Sequence, residues 1–327
     1  VSASLRELAA DAARAARTLA GLDTATRDRA LAEIATGLVA ATDAILAANA
    51  LDVADAQARG RSAALVDRLM LDAARVEGMA RAVREVIALP DPLGRTNWQA
   101  PRADGLQVGR MRVPLGTIAM IYEARPNVTT DAAALCLKSG NAVILRGGSE
   151  AMRSNRAIAG AVSAALLRAG LPPAAVTLVP VAEREALLEL LAMNDLIDLV
   201  VPRGGEELIR FVAANSRIPV IRHYKGVCHL YVDRDADPGM AERLLIDGKT
   251  SRPGVCNALE TLLVDAAIAP TFLPRAAKTL AQRGVEMRAC ERSRPLMAGA
   301  VAAAASDWDA EYLDLILAVR VVDGIDD

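Results

Sequence analysis

Aromatic side chains are scarce in this sequence: two tryptophans, four tyrosines and two phenylalanines among 327 residues. The formal net charge is only −2, with the two signs interspersed. Such a chain offers neither stacking rings nor a basic footprint, which excludes nucleic-acid binding as a main role. Histidine is scarcer still, limited to His223 and His229. No cluster with metal-ligand spacing can be assembled from two imidazoles and scattered thiols, so no metal site is expected. The four cysteines, Cys136, Cys228, Cys256 and Cys290, form no CxxC pair and no disulfide framework. They fit a reducing compartment. No apolar run reaches the length of a membrane span, and the N-terminus reads as a charged amphipathic helix, not a signal peptide. A soluble, cytoplasmic protein is expected.

What is abundant is small aliphatic material. The hydrophobic share is 53%, enough to fill one large α/β domain or two ordinary ones, with Ala, Leu and Val in place of rings. Residues 2–90 repeat apolar positions at helical spacing, with breaks near Gly21, Gly60 and Pro90. They predict three or four helices, with Asp23 and Asp72 as N-caps. From about 93 to 112, Trp98, Pro101 and Gly105 punctuate short stretches that suit a projecting hairpin. Strand and helix patterns then alternate. Strands are expected at 113–121, 142–145, 176–180, 196–201 and 219–221, with helices of ten or more residues between most of them. Such βαβ units build a parallel sheet whose ligands bind beyond the carboxyl ends of the strands. A second block starts near Val227, with strands at 228–232, 259–264, 286–289 and 313–322, helices at 235–249 and 267–284, and a low-complexity loop at 300–305. The expected division is a cofactor domain over 1–224, carrying the hairpin, and a catalytic domain over 225–327. The last strand has no helix after it, so an incomplete second domain is expected.

The stretch that carries chemistry is Lys249-Thr250-Ser251-Arg252-Pro253-Gly254-Val255-Cys256-Asn257. A cysteine on a Gly/Pro turn, with Lys249 and Arg252 near in sequence, has what an attacking thiolate needs: cations and turn N–H groups stabilise the charged sulfur. Equally, cysteine often serves as a small core hydrophobe. His229 lies in an apolar run and reads as a core histidine, and His223 is the better partner of the two. Without an obligatory imidazole base, the chemistry open to Cys256 is attack on an aldehyde or an activated acyl group. Two Gly-Gly turns, Gly147-Gly148 and Gly204-Gly205, sit at strand ends and open helices. Either could be a plain turn; together in one sheet they suit the phosphates of a dinucleotide.

Four strings then match a known family: VPLGTIAMIYEARPNVTTDAAALCLKSGNAVILRGGSEA (113–151), DLVVPRGGEELI (198–209), HYKGVCHLYVD (223–233) and KTSRPGVCNALETLLVD (249–265). They resemble the gamma-glutamyl phosphate reductases, also called glutamate-5-semialdehyde dehydrogenases, a branch of the aldehyde dehydrogenase superfamily. The likeness runs along essentially the whole chain. It implies an aldehyde dehydrogenase-like α/β fold with a parallel-sheet cofactor domain, a second α/β catalytic domain and an oligomerisation hairpin. The implied activity is NADPH-dependent reduction of L-glutamyl 5-phosphate to the semialdehyde in proline biosynthesis, through a thioester on Cys256 with release of phosphate.

The resemblance also implies roles for single residues. Asn127 falls where the superfamily keeps an oxyanion-holding amide, although an Asx turn after Pro126 would use the same residue. Arg146 and Ser149 stand where NAD-using relatives carry Lys and Glu on the adenosine ribose. A carboxylate there would repel a 2′-phosphate, whereas Arg146 and the Ser149 hydroxyl can accept one, which favours NADP. Gly147 and Gly148 share that turn, Gly204 and Gly205 match the turn under the pyrophosphate, and Glu311 aligns with the glutamate on the nicotinamide ribose. Arg125, Lys249 and Arg252 are candidate cations for the doubly anionic substrate, each open to a structural ion pair instead. The hydrolytic relatives' general-base glutamate aligns near Arg222, and no carboxylate occurs from Pro219 to Tyr231. A reductase has no use for that base. The family continues well beyond Asp327 with a strand that pairs with a partner's hairpin. A homo-oligomer (dimer or dimer of dimers) and channelling with glutamate 5-kinase are therefore implied partners, and a catalytically impaired form acting only in nucleotide binding or assembly is the alternative.

Overall fold

The computed structural model describes residues 4–98, 101, 104–181 and 183–327. The chain divides into two compact units between Arg222 and His223. Among the described residues no single helix is long and apolar enough to cross a membrane.

The first unit opens with five helices: α1 (Leu5–Ala20), α2 (Thr24–Ala40), α3 (Thr42–Ala58), α4 (Ala63–Leu69) and α5 (Ala73–Ala88). Four begin on a side-chain cap that satisfies a free N–H of the first turn: Ser4, Asp23, Ser62 and Asp72. Ser4 and Glu7 complete a capping box. Residues 2–3, where the first helix is expected to begin, lie outside the described residues. The hairpin follows as β1 (Thr96–Trp98) paired antiparallel with β2 (Gly109–Met111). Residues 99–100 and 102–103, between its strands, are outside the described residues.

A four-stranded parallel sheet forms the centre of this unit: β3 (Thr117–Tyr122), β4 (Ala142–Arg146), β5 (Val176–Leu178) and β6 (Leu199–Arg203), in the order β5-β4-β3-β6. Helices α6 (Asn127–Lys138), α7 (Met152–Arg168) and α8 (Arg184–Leu191) connect them in turn, and α9 (Glu206–Asn215) follows β6. The period of two along β3 splits its side chains between two cores. Ile118 and Tyr122 join one cluster with Leu31, Ile34 and Leu137, and Ala119 and Ile121 join another with Leu187, Leu190 and Val212. Burial on both faces is what a parallel sheet requires of its strands, and it explains the unbroken apolar run Ala142–Leu145.

Several expected bounds change: the strands expected at 196–201 and 313–322 begin only at Leu199 and Ile316. The run 113–121 is extended only from Thr117, because Pro114 has no N–H and the N–H groups of Leu115 and Gly116 donate to the Asn141 side chain at 2.7 and 2.9 Å. The strand expected at 219–221 reduces to a single parallel bridge, Val200 to Val220. The loop expected at 300–305 contains a two-residue strand.

The second unit holds a five-stranded parallel sheet: β7 (Cys228–Val232), β8 (Leu259–Asp265), β9 (Glu286–Ala289), β10 (Val301–Ala302) and β11 (Ile316–Val322), in the order β10-β9-β11-β8-β7. Its core is built with α10 (Pro238–Thr250) and α11 (Ala269–Gln282), around Leu245, Leu262, Phe272, Leu273 and Leu317.

Candidate active site

In the second unit the chain leaves α10 at Thr250 and enters β8 at Leu259, and Cys256 rides on the connection between them. A turn closed by the Ala258 N–H on the Val255 carbonyl, at 2.9 Å, exposes its side chain to solvent. Exposure separates it from Cys136, whose thiol burial pushes up to about 12. An accessible sulfur is the requirement that a nucleophile adds to a packing role.

The carbonyl of Cys256 is held from the neighbouring strand. The Cys228 thiol donates to it at 3.5 Å, and the backbone of Gly226 comes so close that a Cβ there would lie 2.3 Å from the same oxygen. That imaginary Cβ would also lie 3.3 Å from Oε1 of Glu311. Gly226 thus brings Glu311 and the Cys256 turn to one place. Such backbone approach is open only to glycine.

Beneath this turn lies a fully buried ion pair. The Lys249 ammonium, in the last turn of α10, donates to Oε2 of Glu260 at 2.8 Å, and both side chains are 0% exposed. The other oxygen, Oε1, accepts the Leu313 N–H at 3.1 Å, and Leu313 takes the left-handed conformation, φ 53°. One carboxylate therefore ties both ends of the Cys256 connection to the segment that carries Glu311. Lys249 thus makes the structural ion pair that the sequence leaves open as the alternative to a substrate contact. Arg252 and Arg125 are exposed. His229, expected in the core, is also exposed, with Nδ1 2.7 Å from the Val227 carbonyl oxygen.

In the first unit the strand order places the carboxyl ends of β4 and β6 on either side of β3, with Arg146 opposite Ile121 and Arg203 opposite Tyr122. The order in which strands are added to the sheet reverses at β3, with β4 and β5 on one side and β6 on the other, the place where parallel sheets open a ligand crevice. β4 ends on Arg146, and after it come Gly147 and Gly148, then Ser149 opening a 3₁₀ turn, Ser149–Ala151, that runs into α7. A Cβ on Gly147 would lie 2.2 Å from the Asn155 amide nitrogen and 3.2 Å from the Tyr122 ring. That nitrogen is buried with no hydrogen-bond partner among the described residues, while Asn155 Oδ1 accepts from Thr129, which also bonds the Tyr122 hydroxyl. A cradle without side chains, above an unused amide donor, fits an oxygen-rich ligand. Arg146 is half-buried. Burial pulls its pKa below the ordinary value, against the pull of Glu150 and Glu183. Ser149 is exposed.

The turn after β6 is less open. The Gly205 N–H donates to Glu123 Oε2 at 3.0 Å, and a Cβ on Gly204 would meet that carboxylate at 2.6 Å. Asn127 stands exposed at the start of α6 and donates one amide hydrogen to Asp131 at 2.9 Å. Its second amide hydrogen leaves it a donor to spare. Burial raises the pKa of Asp131, opposed by Asn127 and Arg203. Among the described residues no group of three or more His, Cys, Asp or Glu is placed to hold a metal ion.

Sequence reasoning overlooked Gly226, Cys228, Glu260 and Asn155. Glu260 alone left a signal, a carboxylate near the start of a largely apolar strand, eleven residues from a lysine.

A sequence profile of the aldehyde dehydrogenase family matches residues 2–305. A gamma-glutamyl phosphate reductase of Salinibacter ruber is 56% identical over 324 residues, covering 99% of this chain and 74% of the relative. One from a Geobacter species is 53% identical over 326 residues, covering 100% and 78%. The crystal structure of the Thermotoga maritima gamma-glutamyl phosphate reductase superposes with a TM-score of 0.92 at 42% identity, over 99% of this chain and 78% of that one. Its Saccharomyces cerevisiae counterpart gives 0.62 at 29%, over 98% and 81%. A full-length match at this identity, with the parallel sheets and the exposed cysteine turn already in view, places the chain in the aldehyde dehydrogenase family, among its gamma-glutamyl phosphate reductases.

Proposed function

We propose that this protein reduces L-glutamyl 5-phosphate to L-glutamate 5-semialdehyde, a step of proline biosynthesis, with NADPH as reductant and Cys256 as the covalent nucleophile. The observation that carries the reading is the exposed thiol of Cys256 on a turn held from three sides, by Gly226, by the Cys228 thiol and by the buried Lys249–Glu260 pair.

The Cys256 thiolate attacks the acyl carbon, the bond from carbon to the phosphate oxygen breaks, and inorganic phosphate leaves. Phosphate is a good leaving group, so this step needs little acid assistance. The Asn127 amide and the Cys256 N–H serve as oxyanion donors, a role supported by the free second hydrogen on the Asn127 amide. A nicotinamide cofactor, when bound, would supply hydride to the thioester carbonyl. Collapse of the resulting thiohemiacetal frees the aldehyde and returns the thiolate. No carboxylate occurs from Pro219 to Tyr231, which spares the thioester from base-assisted hydrolysis. Arg125 and Arg252, both exposed, remain the cations for the substrate's carboxylate and phosphate.

For the cofactor, Gly147 and Gly148 let phosphate oxygens approach backbone, Arg146 and Ser149 face the ribose end, and Glu311 holds the nicotinamide ribose. The hairpin supports assembly into a homo-oligomer: Trp98 and Met111 on its strands are 64% and 61% exposed, and Val113 just beyond is 64% exposed.

The test is phosphate-dependent oxidation of glutamate semialdehyde with NADP⁺, run beside Cys256→Ser. The expected result is turnover by the parent and a loss of at least about a thousandfold in the variant. Turnover that survives the serine change would defeat the thioester.

A further inference from the structure

One cavity of the first unit lies against the cofactor turn and involves residues that no part of the mechanism uses. Ser149, Arg59 and Arg61 line it together with Arg153, Asp52 and Asp55. Glu150 also borders it. The two arginines come there because α3 ends on a glycine. Gly60 adopts φ +64°, the Arg61 N–H returns to the Ala56 carbonyl at 3.1 Å, and the Gly60 N–H returns to the Gln57 carbonyl at 2.9 Å. This left-handed cap turns the chain sharply, so residues on either side of it both reach the cavity.

Formal charge in the cavity is balanced, and the distribution decides what it can hold. Arg153 is consumed, bonding Asp55 at 2.7 Å and Asp52 at 3.2 Å. Asp52 is itself buried and also accepts from the Ser154 N–H and hydroxyl at 2.8 and 2.7 Å. The pKa of Asp55 is held low, first by its hydrogen bond from Arg153 and more weakly by Arg59. Glu150 is folded back over Gly148, where a Cβ would meet its Oε2 at 2.3 Å, and its charge acts on Arg146. Asp52 and Asp55 thus already share a cation. Arg59 and Arg61 are exposed and donate to no carboxylate among the described residues. What remains open is a pair of arginines lining the same cavity as Ser149, a donor set suited to a phosphate dianion.

We infer that Arg59 and Arg61, with Ser149, hold the 2′-phosphate of the bound NADP(H) and make the α3–α4 connection the element that selects it over NAD(H). The inference rests on the cofactor site proposed above. It adds two residues some ninety positions upstream of the glycine turn. It also explains how a turn with serine and no lysine recruits positive charge.

The experiment measures binding of 2′,5′-ADP and of 5′-AMP to the full chain by calorimetry. The parent is compared with Arg59→Gln/Arg61→Gln and with Arg59→Lys/Arg61→Lys. The glutamine pair is expected to weaken 2′,5′-ADP roughly tenfold or more, and 5′-AMP less than about twofold, with an unchanged melting temperature. The lysine pair should regain part of the discrimination. Equal loss for both nucleotides, or no loss for either, overturns the assignment of the two arginines. A parent that binds 2′,5′-ADP no better than 5′-AMP overturns the NADP reading itself, and this inference with it. A parent that discriminates through Arg146 and Ser149 alone, shown by Arg146→Gln and Ser149→Ala losing the preference while the glutamine pair keeps it, overturns only the inference. Should the glutamine pair melt early, the lysine pair, with charge retained, supplies the comparison.

Discussion

The Lys249 ammonium meets the Glu260 carboxylate at 2.8 Å with neither side chain reaching solvent, and the two residues bracket the connection that carries Cys256. A buried pair contributes little net stability relative to apolar packing, because desolvation offsets the attraction. Breaking it is another matter. Lys249→Met leaves a buried carboxylate unpaired and is expected to cost about 3–5 kcal/mol, measured by urea unfolding. Lys249→Met combined with Glu260→Leu should cost clearly less than the sum of the two single changes. A strictly additive double variant would show that the two groups do not act as a pair.

Gly226 sets the position of the nucleophile in a way that can be tested separately. A methyl group at this site would lie 2.3 Å from the Cys256 carbonyl oxygen, and the obstacle is backbone, which cannot rotate away. Gly226→Ala should displace the turn, lowering kcat by about a hundredfold while stability falls by only about 1–3 kcal/mol. Full activity in this variant would show that the turn has room the structure does not give it.

The acid side of the stability profile is set in part by Asp265 at the end of β8. The Ala267 N–H at 2.8 Å, with Arg234 at 3.0 Å, holds its carboxyl below the ordinary value of 3.8, although burial opposes this. A carboxyl depressed in the folded state stabilises the fold above its unfolded pKa, and that contribution disappears as pH falls through the folded value. Denaturant midpoints should therefore drop on going from pH 5 to below pH 3.8. In Asp265→Asn the midpoint should be lower at pH 5 and the drop shallower. Parallel pH profiles for the two proteins would remove Asp265 from the account.

Much of the fold could be read in advance because its signals are local. Alternating strand and helix patterns, Asp23 and Asp72 at helix starts, and a Gly/Pro turn at Cys256 each depend on neighbours in sequence. The errors arise where a distant residue decides. Leu115 and Gly116 fail to join a ladder because Asn141, 25 residues on, takes their N–H groups. Lys249 looks like a free cation until Glu260 folds over it, and His229 looks like core until β7 proves to be half-exposed at the edge of its sheet. The same holds for Arg59 and Arg61, which sit in an unremarkable helix end and acquire meaning only from the cavity they line with Ser149.

Glu123 gives the last test, at the turn after β6. Its carboxylate accepts the Gly205 N–H at 3.0 Å, at the N-terminus of α9, where two further acids, Glu206 and Glu207, occupy the first turn. If the cofactor's pyrophosphate is to settle on Gly204 and Gly205, it must displace this carboxylate and face its charge. Glu123→Gln keeps an acceptor for the Gly205 N–H and removes the repulsion. It is expected to tighten NADPH binding by about two- to fivefold at low ionic strength, and the gain should shrink as salt screens the exposed charge. Fluorescence titration at 20 mM and at about 500 mM salt reads both effects. An affinity unchanged by the substitution at low salt would mean that the pyrophosphate lies elsewhere, and that Gly204 and Gly205 serve only to let Glu123 cap the helix.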